Sequence, residues 1–200
     1  MKKIIVILTT FFLSSAVIAQ TGAVFGLKGG LNLSNWNIEG DAETEMKTGV
    51  HVGGLAHIHL NRQWAIQPEL QFSTQGAEVD LGRSGEFTWN MNYINVPVMV
   101  QYMFSNGFRL EAGPYVGFLV GAKMEDVNGN EDDVKDEFKK VDAGLGFGLN
   151  YLTTSGFGFG GRYNLGLSDI NEGRTSKTQN RVIQLSLFYM FDQAHKAKSP

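Results

Sequence analysis

Two histidines spaced two positions apart are the residues of this chain whose types and spacing best suit metal binding. His57 and His59 occur in a segment of alternating polarity, so a β-strand there would place both imidazoles on one face. Glu69 lies on the next alternating segment, diagonally near His57 if the two segments pair. Zinc sites usually have three or four such ligands. Ordinary hydrogen bonding is the simpler interpretation, and we predict no metal site and no cofactor here.

An acidic stretch in the second half of the chain is a candidate calcium loop. Its oxygen-bearing side chains match the first, third, fifth, seventh and twelfth positions of a calcium-binding loop; they are Asp126, Asn128, Asn130, Asp132 and Glu137. Glu131 occupies the position at which the sharp turn of such a loop needs glycine, and no helices flank the stretch. We favour an acidic, solvated loop, and calcium binding is the weaker alternative.

Catalysis is not predicted. His51 would lie near the rim of its strand, close to the connection that contains Asp41, and barrel enzymes use Asp-His or Ser-His groups at such a rim. No nucleophile motif accompanies these two residues. Cysteine is absent, which removes thiol chemistry and cysteine metal sites. A net charge of −3 gives no electrostatic reason to expect binding of nucleic acid.

The elements that position these residues are segments in which apolar and polar residues alternate, the pattern of β-strands with two different environments. Eight such segments share a chain of 200 residues, enough for one domain, and the connections between them are long and short in turn. The polar stretches 76–86 and 122–139 are two of the predicted long loops. Antiparallel strands in an even number return both termini to one side. Outer-membrane barrels have short periplasmic turns and longer extracellular loops. The layout therefore predicts an all-β fold, an eight-stranded antiparallel transmembrane β-barrel.

The two faces of the predicted strands differ sharply in composition. One face is almost purely Val, Ile, Leu, Phe, Tyr and Trp, and the other holds Gln, Asn, Gly and the charged residues Glu69, Arg109, Glu111, Asp142 and Arg162. An Arg in lipid near the bilayer midplane costs about 2–4 kcal/mol. An eight-stranded barrel is just wide enough to be filled by side chains. We therefore predict that these five residues form a charged network that fills the lumen.

Glycines on the polar face support a filled lumen. Gly144, Gly146, Gly148, Gly158 and Gly160 occupy inward positions of two neighbouring strands. Their missing side chains would leave a trough for long groups such as those of the lumen arginines. Relief of strand curvature is an equally good interpretation of these glycines, and the two do not conflict.

The ends of the chain carry export and assembly features. Residues 1–19 combine two lysines, an apolar run and small residues before Gln20, which predicts a cleaved secretory signal peptide; a membrane anchor would need a longer apolar run. We assign residues 20–191 to the barrel and residues 192–200 to a periplasmic tail. The barrel ends on Phe191, an aromatic position typical of the signal that the barrel-assembly machinery recognises.

Several segments resemble one known family. The segments are WAIQPELQFS at 64–73, YINVPV at 93–98, EAGPYVG at 111–117, DAGLGFG at 142–148 and GRY at 161–163. They resemble the small outer-membrane β-barrel proteins of Bacteroidota that are called "porin family" or PorT-like. The resemblance implies an eight-stranded barrel in the bacterial outer membrane, surrounded by lipid. It implies little about activity, and the word "porin" does not establish a channel.

The expected role is structural or interactive, through the extracellular loops and an unidentified ligand or protein outside the cell. A small-solute channel is the first alternative. A soluble barrel of the lipocalin type is the second, but it would need an apolar lumen and would expose Arg109, Glu111 and Arg162 to water.

Overall fold

The computed structural model describes residues 23–39, 44–80, 86–127, 129–172 and 176–191. The predicted signal peptide (1–19) and C-terminal tail (192–200) lie outside these residues, as do Asp41 and Asn128, so the predictions made for them stay predictions.

Nine strands and one 3-10 turn form in the described residues. The strands are β1 (Val24–Ile38), β2 (Lys47–His59), β3 (Trp64–Asp80), β4 (Glu86–Met103), β5 (Phe108–Glu125), β6 (Glu131–Asp133), β7 (Val141–Leu152), β8 (Phe157–Gly166) and β9 (Thr178–Met190), and the turn is Lys135–Glu137. No helix among these residues is long and apolar enough to cross a membrane.

All strands except β6 form one closed antiparallel barrel, which confirms the predicted eight-stranded fold. Each strand pairs with the barrel strand that follows it in the chain, and β9 returns to pair with β1 from Met190–Gly26 to Thr178–Ile38. Closure leaves the barrel strands no open edge within the membrane-crossing region, so the backbone groups find partners inside the sheet.

The two ends of the barrel differ in their connections. At the turn end, three short connections join β2 to β3, β4 to β5, and β7 to β8. Gly107 closes the second of these with φ of +93°, a left-handed conformation that favours glycine. At the loop end, the remaining connections are longer, and β6 with the 3-10 turn lies in one of them.

The strands extend further at the loop end than the sequence predicts. The stretches 76–86 and 122–139 are predicted as polar loops, but β3 continues to Asp80, β4 begins at Glu86 and β5 continues to Glu125. A bulge explains part of the difference. Tyr93 pairs with Leu119 whereas Asn92 pairs with Gly121, so Val120 is an extra residue that shifts the inward face of β5 to Ala122.

An apolar cluster, which the sequence analysis does not predict, closes the barrel at its loop end. We call it the loop-end core. Residues from strands and loops pack together in it: Trp36, Ala77, Met91, Tyr93, Leu119, Ala122, Val134, Phe138 and Ile170. A smaller apolar cluster of Val24, Leu55, Phe188 and Met190 lies at the turn end. The polar lumen is therefore confined between two apolar layers.

The outward orientation of the apolar face can be tested at Val98. It is the central residue of the outward series Ile94, Val96, Val98, Val100 and Tyr102, and its side chain is 38% exposed. We expect Val98→Arg to lower the free energy of unfolding in lipid vesicles by about 2–4 kcal/mol, because the substitution places a charge in hydrocarbon. Urea titration followed by tryptophan fluorescence measures the change.

Val127→Arg is the matched control for this prediction. Val127 is 62% exposed but lies in the hairpin between β5 and β6, beyond the barrel wall. We expect this variant to unfold like the wild type. Equal unfolding curves for the Val98 and Val127 variants would contradict a lipid-facing β4.

Candidate functional site

Four charged side chains meet inside the barrel and form what we call the lumen ion cluster: Lys28, Glu69, Glu111 and Arg162. Arg162 binds Glu69 with two parallel hydrogen bonds, Nη2 to Oε1 at 2.7 Å and Nη1 to Oε2 at 2.9 Å. Its Nε donates to Glu111 Oε1 at 2.6 Å. Lys28 Nζ lies 3.4 Å from Glu69 Oε1. Two cations thus neutralise two carboxylates.

The cluster is fully removed from solvent. Its ion-paired side chains are between 0% and 3% exposed. Buried charges are tolerated when each is paired and its remaining hydrogen-bonding positions are filled. The planar guanidinium of Arg162 suits this task because its fork of donors matches a carboxylate in a bidentate geometry.

Amide side chains fill the remaining acceptor positions of the two carboxylates. Gln67 Nε2 donates to Glu69 Oε1 at 2.8 Å, and Gln71 Nε2 donates to Glu69 Oε2. Gln101 Nε2 donates to Glu111 Oε2 at 2.9 Å. Gln67 and Gln71 flank Glu69 on the inward face of β3, so strand periodicity alone brings them to the carboxylate.

Four different strands of the barrel supply the cluster, and glycines make room for it. Arg162 on β8 lies opposite Gly148 of β7 in the sheet. A Cβ built on Gly148 would lie 2.7 Å from Glu111 Oε1, and one built on Gly146 would lie 3.4 Å from Arg162 Cδ. A side chain at Gly148 would therefore occupy the space of the Glu111 carboxylate, consistent with the trough that the sequence suggests.

The other two residues of the predicted lumen network lie away from the cluster. Asp142 accepts hydrogen bonds from Ser168 Oγ at 2.6 Å and from Tyr115 Oη at 3.3 Å, below the loop-end core. Arg109 lies at the turn end, where its Nη1 approaches Met190 Sδ at 3.9 Å. The structure therefore brings Glu69, Glu111 and Arg162 into direct ion pairs and leaves Arg109 and Asp142 outside these pairs, although the charge of Arg109 still acts on Glu111, two residues along β5.

Lys28 is the cluster member that the sequence reasoning missed. Its signal was present, because Lys28 lies between the outward residues Leu27 and Gly29 and so falls on the inward face of β1. The residue is only 4% exposed. Applying the period of two strictly to the first strand would have added Lys28 to the predicted charges.

His51 lies inside the lumen, which corrects the rim position predicted from the sequence. Its Nδ1 is 2.8 Å from Asn32 Oδ1 and its Nε2 is 2.9 Å from Ser186 Oγ. Asn32 also donates to Ser73 Oγ at 2.9 Å, and Gln184 donates to Asn32 Oδ1 at 3.2 Å. His51 therefore belongs to a buried polar layer between the ion cluster and the loop-end core.

The residues of the proposed zinc site, His57, His59 and Glu69, contact other side chains. The rings of His57 and His59 are in edge contact with centroids 4.7 Å apart, His57 Nδ1 lies 3.2 Å from Gln67 Oε1, and Glu69 is bound to Arg162. Within the described residues, no group of three or more His, Cys, Asp or Glu is placed to hold a metal ion.

In the acidic stretch, the Asp126 carboxylate closes a hairpin turn. It accepts hydrogen bonds from the backbone and side-chain nitrogens of Asn130 at 2.9 and 3.0 Å. Asp132 pairs with Met124 in the sheet, and Glu137 ends the 3-10 turn. Calcium binding, which also invokes Asn128, stays a prediction.

A closed barrel of eight antiparallel strands, apolar outside and polar within, is the architecture of a bacterial outer-membrane β-barrel protein. The chain belongs to the family described as "Outer membrane protein beta-barrel domain", which matches residues 18–172. The protein is accordingly located in the bacterial outer membrane, where its outward face meets the lipid bilayer. A comparison with curated protein sequences finds no significant match.

Solved structures of other outer-membrane proteins share the fold. Neisserial surface protein A is similar with a TM-score of 0.56 at 13% identity, over 85% of this chain and 99% of that one. The attachment invasion locus protein Ail of Yersinia pestis, in complex with the heparin analogue sucrose octasulfate, is similar with a TM-score of 0.50 at 14% identity, over 84% and 99% of the two chains.

The energetic role of the cluster can be measured at Arg162. We expect Arg162→Met to lower the free energy of unfolding in vesicles by about 3–5 kcal/mol, because it leaves two buried carboxylates with Lys28 as their remaining cation. Urea titration in vesicles measures the loss.

Lys123→Met is the control for the Arg162 variant. It removes the solvent-exposed ion pair between Lys123 and Glu131, whose side chains are 58% and 47% exposed. We expect no measurable change, because exposed pairs are screened by water. An equal loss of unfolding free energy in the two variants would show that the lumen ion cluster stabilises the barrel no more than an exposed ion pair does.

Proposed function

We propose that the protein is a closed, non-conducting barrel that holds its loop end outside the cell as an interaction surface. The observation that supports a closed lumen is the lumen ion cluster, in which the bidentate pair between Arg162 and Glu69 spans from β8 to β3. These two strands are not neighbours in the sheet, so their pair crosses the interior.

The apolar layers above and below the cluster support the same proposal. The loop-end core seals the lumen with large side chains such as Trp36 and Phe138, whose rings lie 5.7 Å apart. Phe188 and Met190 narrow the turn end. A solute or ion would have to separate a paired charge cluster and pass two apolar layers, and each step is unfavourable.

Contacts between the described parts of two loops support a role in binding. Lys139 Nζ donates to Asp169 Oδ2 at 2.8 Å, and Asp169 Oδ1 accepts from the backbone amides of Asn171 and Thr178. Slight burial acts to raise the pKa of Asp169, but these hydrogen bonds hold it below its ordinary value. Asp169 therefore remains an anion that ties two loops together.

The charge of this surface favours a cationic partner. Residues 122–140 contain seven acidic residues and four lysines, so the stretch is net negative even though Lys123 pairs with Glu131. Five of the acidic side chains are exposed close together along the chain: Glu131, Asp132, Asp133, Asp136 and Glu137. A polyanion such as the sucrose octasulfate of the Yersinia pestis Ail structure would be repelled by this stretch. We therefore propose that the partner is a protein or ligand with a basic surface.

The family subgroup, the export signal and the assembly signal of the chain are also proposals made from its sequence. We place the chain among the small Bacteroidota barrels of PorT-like type, exported by a signal peptide at residues 1–19. Phe191, which is 57% exposed after β9, is proposed as the contact with the barrel-assembly machinery. We propose no catalytic role, because the ring nitrogens of His51 face Asn32 and Ser186 inside the lumen.

Conductance in planar bilayers tests the closed lumen. We expect the wild type to show no persistent conductance. We expect Glu69→Ala combined with Arg162→Ala to show brief openings, because small side chains replace the pair that crosses the lumen. The double variant removes one anion and one cation, so the remaining charges of Lys28 and Glu111 still sum to zero. Lys123→Ala, at the exposed loop end, should match the wild type. Persistent ohmic conductance of the wild type would favour a small-solute channel instead.

The orientation of the loop end can be tested with an epitope inserted after Gly129. This residue is exposed in the hairpin between β5 and β6, and a Cβ built on it would have no heavy atom within 4 Å. We expect antibody to label intact cells. An equal insertion after Asn106, in a turn at the other end, should be labelled only after permeabilisation. The reverse labelling pattern would show that the turn end, and not the loop end, lies outside the cell.

A further inference from the structure

A groove on the outer wall of the barrel is a feature that neither the lumen nor the loops explain. It has a volume of about 550 Å³ and spans β5, β7, β8, β9 and β1. Its walls include the outward side chains of Phe108, Leu149, Tyr151, Phe159 and Leu185, and none of the described residues that line it is charged. The groove therefore opens towards the hydrocarbon of the membrane.

One outward position in the groove has no side chain. Gly161 follows Phe159 on the outward face of β8, with Leu149 beside it on β7 and Leu185 beside it on β9. All three of these neighbours are large and exposed. A single glycine among them leaves a recess in an otherwise continuous apolar wall.

The packing of the barrel does not require glycine at position 161. A Cβ built there would meet Leu185 Cδ2 at 3.8 Å and the Gln184 carbonyl oxygen at 3.9 Å, which are ordinary contacts. Its inward neighbour Gly160 differs, because a Cβ there would lie 2.7 Å from the Leu149 carbonyl oxygen. Gly161 also has no positive φ. The recess is therefore space that the barrel leaves open towards the membrane.

We propose that this groove is a binding site for one acyl chain of a phospholipid in the periplasmic leaflet. Outer-membrane location makes hydrocarbon the medium in contact with this surface, so the groove is continuous with an interface already established. An acyl chain is flexible enough to fill a narrow recess and to gain the dispersion contacts that a gap would forfeit. The proposal rests on the location of the barrel and, for the choice of leaflet, on the proposed orientation of the loop end, but not on the proposed closed lumen.

The position of the groove along the barrel wall indicates which leaflet of the membrane it faces. Phe108 and Tyr151 border the turn end, with ring centroids 5.0 Å apart, and Tyr151 continues to Phe159 at 5.6 Å. Aromatic side chains of outer-membrane barrels gather at the membrane interfaces. From this aromatic border the groove extends up the wall to Leu31 and Leu185, which pair in the sheet. The acyl chain thus enters from the periplasmic side.

Native mass spectrometry with palmitoyl-oleoyl phosphatidylethanolamine tests the site. The full-length mature barrel is reconstituted with this lipid and transferred to detergent. We expect the wild type to retain one lipid per barrel, and Gly161→Leu to retain at least about tenfold less, because leucine fills the recess. Gly161→Ala, whose Cβ has room, should fold and show an intermediate loss. A gel comparison of boiled and unboiled samples checks that each variant is folded.

Gly54→Leu is the matched control. Gly54 is also an outward glycine, between Leu27 and Leu70 on neighbouring strands, and its Cβ would meet only the Gly26 carbonyl oxygen at 3.8 Å. We expect this variant to retain lipid like the wild type.

Three results would overturn the proposal. Complete release of lipid by the wild type would show that the groove holds no chain. Equal retention by the folded Gly161 variants and the wild type would place the bound lipid elsewhere. A wild-type dimer that Gly161→Leu disrupts would assign the groove to a second copy of the chain.

Discussion

Closure of the sheet between β1 and β9 is the constraint on which the rest of the structure depends. The bilayer core offers no hydrogen-bonding partner to a free strand edge, so each membrane-crossing strand needs a neighbour on both sides. This barrel has eight strands, and the interior of an eight-stranded barrel is narrow enough for side chains to fill it. Every inward position must therefore fit its counterparts across a narrow lumen, while the outward positions within the bilayer face lipid. The lumen ion cluster and the outer groove are two consequences of that one geometry.

The lumen ion cluster shows how charges become tolerable in such a space. Arg162, Glu69, Glu111 and Lys28 carry no net charge together, and glutamine amides occupy the carboxylate oxygens that the cations leave open. Removing a member is costly because its partner stays buried, whereas the intact cluster need not add much stability over an apolar filling. Its more specific effect is to fix the relative position of two strands. A bidentate pair between β3 and β8 is satisfied at one relative stagger of the strands, so it favours a single register.

Period-two alternation was sufficient to predict the eight strands, their outward face and the inward direction of Glu69, Glu111 and Arg162. The alternation does not predict which charged side chains form pairs. Arg162 contacts Glu69 across the lumen, and the stagger of the strands determines which inward residues lie at the same position along the barrel axis. The loop-end core escaped prediction for a different reason. Val134, Phe138 and Ile170 are isolated apolar residues among charged ones, and the extra residue Val120 reverses the inward series of β5. Neither feature has a periodic signal.

Glycine serves opposite purposes on the two faces of the wall. At Gly148, the absent side chain is space that the Glu111 carboxylate already occupies, so any substitution competes with the lumen ion cluster. At Gly161, the absent side chain is space that no atom of the barrel uses. A strand glycine also costs conformational entropy relative to alanine. Inside the barrel the ion cluster compensates that cost. On the lipid face the barrel offers Gly161 no compensating contact, and Gly54 shows that an open outward glycine is tolerated without one. What distinguishes Gly161 is the apolar groove around it, and the proposed acyl chain would regain there the dispersion contacts that the missing side chain gives up.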